Sequence, residues 1–335
     1  MTPRILRGLA AVRRPPRRAV VTVGVFDGVH LAHQHLLRAT IGLAHRLRGT
    51  SVAVTFDPDP EVVLHPDHVA PALMPLDARV RHLLALGVDR VWIIPFTRAF
   101  ARMTADRFVR EILVRRLRAA AVLLGARFTF GRGRRGTMTL LNALGPRYGM
   151  QVVSVTEIAR GGAVVSSSRI RRLLAAGRLA QTRNLLGRPP MLYGVVVRGA
   201  GRGRRLGVPT ANIQLASQVL PPQGVYAVTV HRARRGVTPP SMSVRVPRTA
   251  ARRFACGEYI GGGVMNVGVR PTFGPGPLVC EAHLLDFAGT LQGESVSVAL
   301  HTRLRGERCF ASPQALVRQI RHDIRRARRL LARLS

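Results

Sequence analysis

The sequence contains no lysine: all 53 of its basic residues are arginine. That absence excludes two chemistries. A Walker-type phosphate loop needs its lysine on the terminal phosphates, and Schiff-base catalysis needs a side-chain amine. Acids are also scarce, 16 in all, which leaves a formal net charge of +37. Aromatic residues make up only 5% of the chain and are not interleaved with the arginines, so the stacking platforms of single-strand binders are missing. The charge therefore reads as residue usage that gives loose affinity for polyanions, and no specific nucleic-acid partner is expected. The three cysteines, Cys256, Cys280 and Cys309, lack metal spacing and cannot all pair, which points to a reducing cytoplasm. No apolar run has the length to span a bilayer, and no membrane partner is expected.

What is present fits a folded two-domain protein: 335 residues, 47% of them apolar. The arginine-rich opening looks like a transit peptide but lacks a cleavage pattern, so residues 1–18 are expected to be a short basic tail. Gly187-Arg188-Pro189-Pro190 is a natural break, because two prolines continue neither a helix nor a central strand. Residues 19–186 and 187–335 are the expected domains.

In the first, Val20–Val23 leads into Gly24-Val25-Phe26-Asp27-Gly28-Val29-His30-Leu31-Ala32-His33, after which apolar residues recur at helical spacing. Strand, glycine turn and helix in that order put a helix N-terminus where a nucleotide phosphate can sit, with His30 and His33 at its entrance. Strand-like runs at Ser51–Phe56, Val91–Phe96, Ala120–Leu124 and Val152–Val155 alternate with helical patterns at Ala78–Leu86 and Ala105–Leu117. This implies a Rossmann-like α/β domain with a parallel sheet. Ser166, Ser167 and Ser168 then head a helix through Leu174, ordinarily a capping role, with Arg171 on its first turns.

The second half reads as a small antiparallel β-barrel of short strands: Leu192–Val197, Gly224–Val230, Gly263–Val267, Val279–Leu285 and Ser295–Leu300. A C-terminal helix follows, capped by Ser312 with Pro313 in its first turn. Before the second of these strands stands Gly199-Ala200-Gly201-Arg202-Gly203-Arg204-Arg205-Leu206-Gly207-Val208-Pro209-Thr210-Ala211-Asn212. Its glycines allow close backbone approach to an anion, and its arginines add charge. The hydroxyl of Thr210 and the amide oxygen of Asn212 are hard donors of the kind a phosphate-bound Mg²⁺ accepts. Taken alone, the stretch reads better as a surface turn leading into a strand, and only its combination with the segments on both sides overturns that.

These segments resemble, in order, those of the prokaryotic bifunctional riboflavin kinase/FMN adenylyltransferases, also called FAD synthetases. Gly24–His33 is similar to the family's G-x-F-D-G-V-H-x-G-H, and Ser166–Arg171 to S-S-T-x-I-R. Leu206–Asn212 resembles L-G-F-P-T-A-N, Met265–Phe273 resembles M-N-I-G-x-R-P-T-F, and Glu281–Phe287 resembles E-x-H-L-x-D-F. The resemblance implies that riboflavin is phosphorylated to FMN and that FMN is adenylylated to FAD, both from ATP with Mg²⁺. It implies Glu281 as the kinase base, Thr210 and Asn212 as metal ligands, and a phosphate flap containing Gly201, Gly203, Arg205 and Gly207. It also implies His30 and His33 as adenylyl-transfer residues, with Gly24, Phe26, Asp27, Ser167, Ser168 and Arg171 around ATP, and Asp286 and Phe287 on the flavin.

Four positions depart from the pattern. Ala32 replaces a glycine, Asp59 a histidine, Arg127 an asparagine or aspartate, and Gln292 a tyrosine. Two alternatives stand beside the bifunctional reading. One is a riboflavin kinase with a degenerate or repurposed first domain; the other, more remote, is a basic nucleic-acid-binding protein on an enzyme scaffold.

Overall fold

The computed structural model describes residues 4–199, 203, 207–233, 257–268 and 279–333. The chain divides into two compact units, residues 1–70 with 79–166, and residues 71–78 with 167–335.

The first unit is built on six parallel strands: β1 (Ile5–Arg7), β2 (Ala19–Val23), β3 (Thr50–Asp57), β4 (Arg90–Pro95), β5 (Ala119–Gly125) and β6 (Gln151–Val155). Their order in the sheet is β1-β4-β3-β2-β5-β6. Every residue of β2 is buried, as a central parallel strand covered on both faces requires. The connecting helices are α1 (Leu31–Arg46), α2 (Pro60–Leu64), α3 (Leu76–Ala85), α4 (Arg98–Ala101), α5 (Ala105–Phe108) and α6 (Met138–Leu144). α5 runs on into a wider-wound helical stretch, Val109–Arg116. A two-residue hairpin, β7 (Ala159–Arg160) and β8 (Ala163–Val164), closes the unit.

The expected basic tail is in part a strand. Ile5–Arg7 pairs with Val91–Ile93, Leu6 is 4% exposed, and the Trp92 indole donates to the Gly8 carbonyl at 2.8 Å. An Ile-Leu pair set among arginines was enough to form a sheet edge, which a reading by charge passed over.

The second unit begins earlier than the prolines at 189 and 190. α7 (Ser167–Ala175) and α8 (Leu179–Leu186) group with the barrel rather than with the sheet, and α8 packs on strand β14. The barrel is closed, in the order β10-β13-β12-β11-β14-β9. Its strands are β9 (Met191–Val197), β10 (Ala211–Leu215), β11 (Gly224–Ala233), β12 (Gly257–Gly268), β13 (Val279–Leu284) and β14 (Ser295–Arg305). β10 is one strand more than the sequence reading counted, because its first two residues, Ala211 and Asn212, belong to the motif that was read for its chemistry. Ile213, Tyr226, Met265, Val267, Cys280, Ala282, Val298 and Leu300 are all buried. The C-terminal helix, Pro313–Ala332, starts as expected, with Ser312 accepting from the Ala315 N–H. It covers Val225, Ala227, Val264 and Leu304 with Ala327, Ile324 and Leu330, and Arg305 pairs with the buried Asp323 at 2.8 Å.

Candidate active sites

In the first unit the β2–α1 turn is wound tightly. Phe26 (φ 57°) and Val29 (φ 39°) both lie in the left-handed region, with Gly28 (φ 78°) between them. Backbone of this kind persists only where its surroundings enforce it. Phe26, Asp27 and Val29 are buried here, and buried Gln34 donates to the Val29 carbonyl at 2.9 Å. Gly24 keeps room for the Phe26 ring, which lies 3.1 Å from where a Cβ would stand.

The turn delivers His30 as the N-cap of α1, its Nδ1 accepting from the His33 N–H at 3.4 Å. The two imidazoles stack at 3.7 Å between centroids and 15° between planes, and Phe26 meets His33 edge-on. Burial first, then His30 and Arg79, push His33 well below the usual imidazole value. The His33 Nδ1 is buried with no hydrogen-bond partner among the described residues. The result is an uncharged histidine facing a second ring and the nearby Arg79, which is ready to take a proton when an anion arrives. The sequence reading found both histidines but missed Gln34 and Arg79, which carry no motif.

Ser167, Ser168 and Arg171 lie on the first turns of α7 in the second unit. Of the departures in the first unit, Asp59 caps α2 by accepting from the Glu61 N–H at 3.1 Å. Arg127 forms an ion pair through its Nε with Glu157.

In the second unit the register of the barrel assembles the site. Glu281 on β13 pairs with Asn212 on β10 and, on its other side, with Asn266 on β12. Residues directly opposite on neighbouring strands point to the same face, so Asn212, Glu281 and Asn266 form a row on the outside of the barrel. Their neighbours Cys280 and Met265 fill its inside. Asn266 stood inside a matched segment, but only the register reveals that it flanks Glu281. Thr210 stands just before β10, two residues ahead of Asn212.

The glycines of the loop make room for these donors. A Cβ on Gly199 would lie 1.9 Å from the Asn212 Nδ2, and one on Gly203 would lie 2.9 Å from the Thr210 Oγ1. His283, on the same face of β13, is 2.8 Å from the Pro209 carbonyl through its Nδ1 and so ties down the Pro-Thr turn. Two hard oxygen donors at the start of β10, with a carboxylate paired across from Asn212 and a cradle that a side chain on Gly199 or Gly203 would fill, fit a divalent cation shared with phosphates. Among the described residues no group of three or more His, Cys, Asp or Glu could hold a metal by itself, so phosphate oxygens or water would complete the shell.

Gly207 lies in a turn at φ 72°, whereas Gly201 and Arg205 lie outside the described residues. Cys280 is no nucleophile: burial, and then the charge of Glu281, push its thiol up to about 12. Asp286 is held bidentately by Arg328 of the C-terminal helix, at 2.7 and 2.9 Å, and those hydrogen bonds keep its carboxyl below the usual range. Phe287 lies over Gly289.

A parallel sheet with a histidine turn at its centre, joined to a barrel with a carboxylate between two asparagines, defines a two-domain phosphoryl- and nucleotidyl-transferase. The FAD synthetase family matches residues 12–169, and the riboflavin kinase family matches residues 186–331. The chain is 36% identical over 329 residues to the bifunctional riboflavin kinase/FMN adenylyltransferase of Pseudomonas fluorescens, covering 98% of both. It is 35% identical over 321 residues to that of Escherichia coli K12, covering 96% of this chain and 95% of the relative. A crystal structure of a macrolide-efflux protein from Streptococcus pneumoniae superposes with a TM-score of 0.78 at 27% identity, covering 96% and 97%. Among the described residues no helix is long and apolar enough to cross a membrane. The chain belongs to the bifunctional riboflavin kinase/FMN adenylyltransferase family.

Proposed function

We propose that the chain converts riboflavin and ATP to FMN on the barrel, and FMN and ATP to FAD in the first unit. The observation that carries the kinase reading is the cross-strand row Asn212–Glu281–Asn266 beside the Gly199–Gly203 cradle. Thr210 and Asn212 would hold Mg²⁺, which when bound neutralises the ATP phosphates. Glu281 takes the proton from the riboflavin 5′-hydroxyl as that oxygen attacks the γ-phosphorus, and ADP leaves. His283 keeps the Thr210 turn in position. Gly201, Gly203, Arg205 and Gly207 cover the phosphates, and Asp286 and Phe287 lie at the flavin.

In the second reaction the FMN phosphate attacks the α-phosphorus of ATP and pyrophosphate leaves. His30 and His33 stabilise the charge that develops, and the lowered proton affinity of His33 supports this role, since the pair becomes charged only against an anion. Gly24, Phe26 and Asp27 shape the turn that carries them, and the family resemblance assigns phosphate contacts to Ser167, Ser168 and Arg171. The reducing cytoplasm is the proposed setting.

The test is product analysis with riboflavin, excess ATP and Mg²⁺. FMN followed by FAD is the expected course. FMN accumulating alone would leave a kinase with a silent first unit, and neither product would overturn the reading.

A further inference from the structure

Arg127 is the departure that the established motifs do not absorb, and the sheet topology gives it a role. In the order β1-β4-β3-β2-β5-β6 the winding reverses between β2 and β5. Ligands of doubly wound sheets bind outside the carboxyl ends of the strands at that reversal. β2 and β5 run parallel in register, Thr22 beside Leu123, so both end at the same edge. The histidine turn leaves the end of β2, and Gly125-Ala126-Arg127 leaves the end of β5 next to it.

Glu157 lies on the other side. β5 pairs with β6 through Gly125 and Val155, so Arg127 and Glu157 each follow the last paired residue of their strands by two. Their ion pair draws the guanidinium toward β6, away from the crevice that the histidines border. The Arg127 side chain is 69% exposed and that of Glu157 34%, and ion pairs this open are weak. A phosphate monoester, dianionic near neutral pH, offers the planar guanidinium fork a stronger bidentate partner than one exposed carboxylate does.

We propose that Arg127 is a specificity-determining residue of the adenylyl acceptor: it rests on Glu157 and transfers to the phosphate of the incoming acceptor. The proposal rests on the reading of the first unit as the place of FMN adenylylation. It explains how an anionic acceptor approaches an anionic nucleotide here, with Arg127 neutralising the acceptor while the histidines and Arg79 face the ATP. It also gives Glu157 a function, because a carboxylate competing for the arginine favours release of the product, in which the acceptor phosphate has become a diester and carries one charge fewer.

The experiment measures steady-state FAD formation from FMN and ATP by the full chain, with riboflavin phosphorylation by the same preparations as the folding control. Arg127→Gln should raise KM for FMN by about tenfold or more, in line with the loss of a charge-assisted bidentate contact, and leave KM for ATP unchanged. Glu157→Gln should lower KM for FMN by about threefold, as expected when a weak competing ion pair is removed. The opposite signs are diagnostic, since a purely structural ion pair would be damaged alike from either end. An unchanged KM for FMN in Arg127→Gln, or a rise in both variants, overturns the role of Arg127 while leaving the adenylylation reading intact. A wild-type chain that makes FMN but no FAD overturns that reading and this proposal with it.

Discussion

In the first unit two reactive rings are held by a turn whose backbone is forced. Phe26 and Val29 sit at positive φ, each at a cost of about 1–3 kcal/mol that the surrounding burial offsets. The row on the barrel needs no such backbone. Asn212, Glu281 and Asn266 stand on ordinary strands, and hydrogen-bond register alone lines them up. The first arrangement depends on packing behind the turn, through Gln34 and the core. The second depends on what is missing in front of the strands, the side chains of Gly199 and Gly203. Two sites on one chain are thus exposed to different kinds of damage, and each should fail without the other.

The largest expected effect is a double dissociation. Glu281→Gln removes the proton acceptor and should slow riboflavin phosphorylation by about 10²–10⁴-fold, with FAD formation from supplied FMN unchanged. His33→Ala should do the reverse, slowing adenylylation by about 10²–10³-fold, as expected for a lost charge-stabilising donor. Each variant is assayed with riboflavin and, separately, with FMN. Either one lowering both rates would break the picture of two independent sites.

A smaller effect should separate register from cradle. In Gly199→Ala the new methyl meets the Asn212 amide, a movable side-chain end, so the amide shifts while the Asn212–Glu281 pairing stays. The Mg²⁺ concentration for half-maximal kinase rate should rise by about 10–100-fold, the range for disturbing a ligand's support. Adenylylation should keep its metal dependence. An unchanged Mg²⁺ requirement would mean that Asn212 does not serve the metal.

The sequence made some of this legible and hid the rest for definite reasons. His30, His33, Thr210, Asn212 and Glu281 sit in contiguous motifs, where residue type and order already carry the chemistry. Asn266 was visible in its segment, yet its place beside Glu281 depends on pairing between β12 and β13, which no local pattern encodes. Gln34 and Arg79 act through burial, and a lone Gln or Arg on a helix gives no sign of being buried. β1 was lost because Ile5 and Leu6 are too short a run to outweigh the arginines around them. Asp59 looked like a lost histidine, whereas in the fold it is a helix cap.

The last test concerns stability and asks whether desolvated histidines mean the same thing in both units. On the barrel, the Thr229 hydroxyl lies 3.0 Å from the His301 Nε2 and 3.3 Å from the His231 Nε2. Burial, then Arg183 and His231, bring His301 down from 6.5 to about 4, and burial lowers His231 as well. Between those two values the unfolded chain binds more protons than the folded barrel. Stability is therefore fully present above pH 6.5, falls as the pH drops toward 4, and is steady below it. Over the whole window His301 accounts for about 3 kcal/mol. Urea midpoints for the second unit should fall between pH 7 and pH 4.5 in the wild type and fall less in His301→Gln. ATP bound at the kinase site should raise these midpoints by a similar amount at every pH and leave their acid slope unchanged, because no phosphate is expected at these rings. His33 differs in that an anion is its expected partner, so nucleotide should protect the first unit against acid. An acid slope of the second unit that ATP flattens as it does that of the first would mean that the barrel histidines also face a ligand, and the contrast between a structural and a functional histidine would fail.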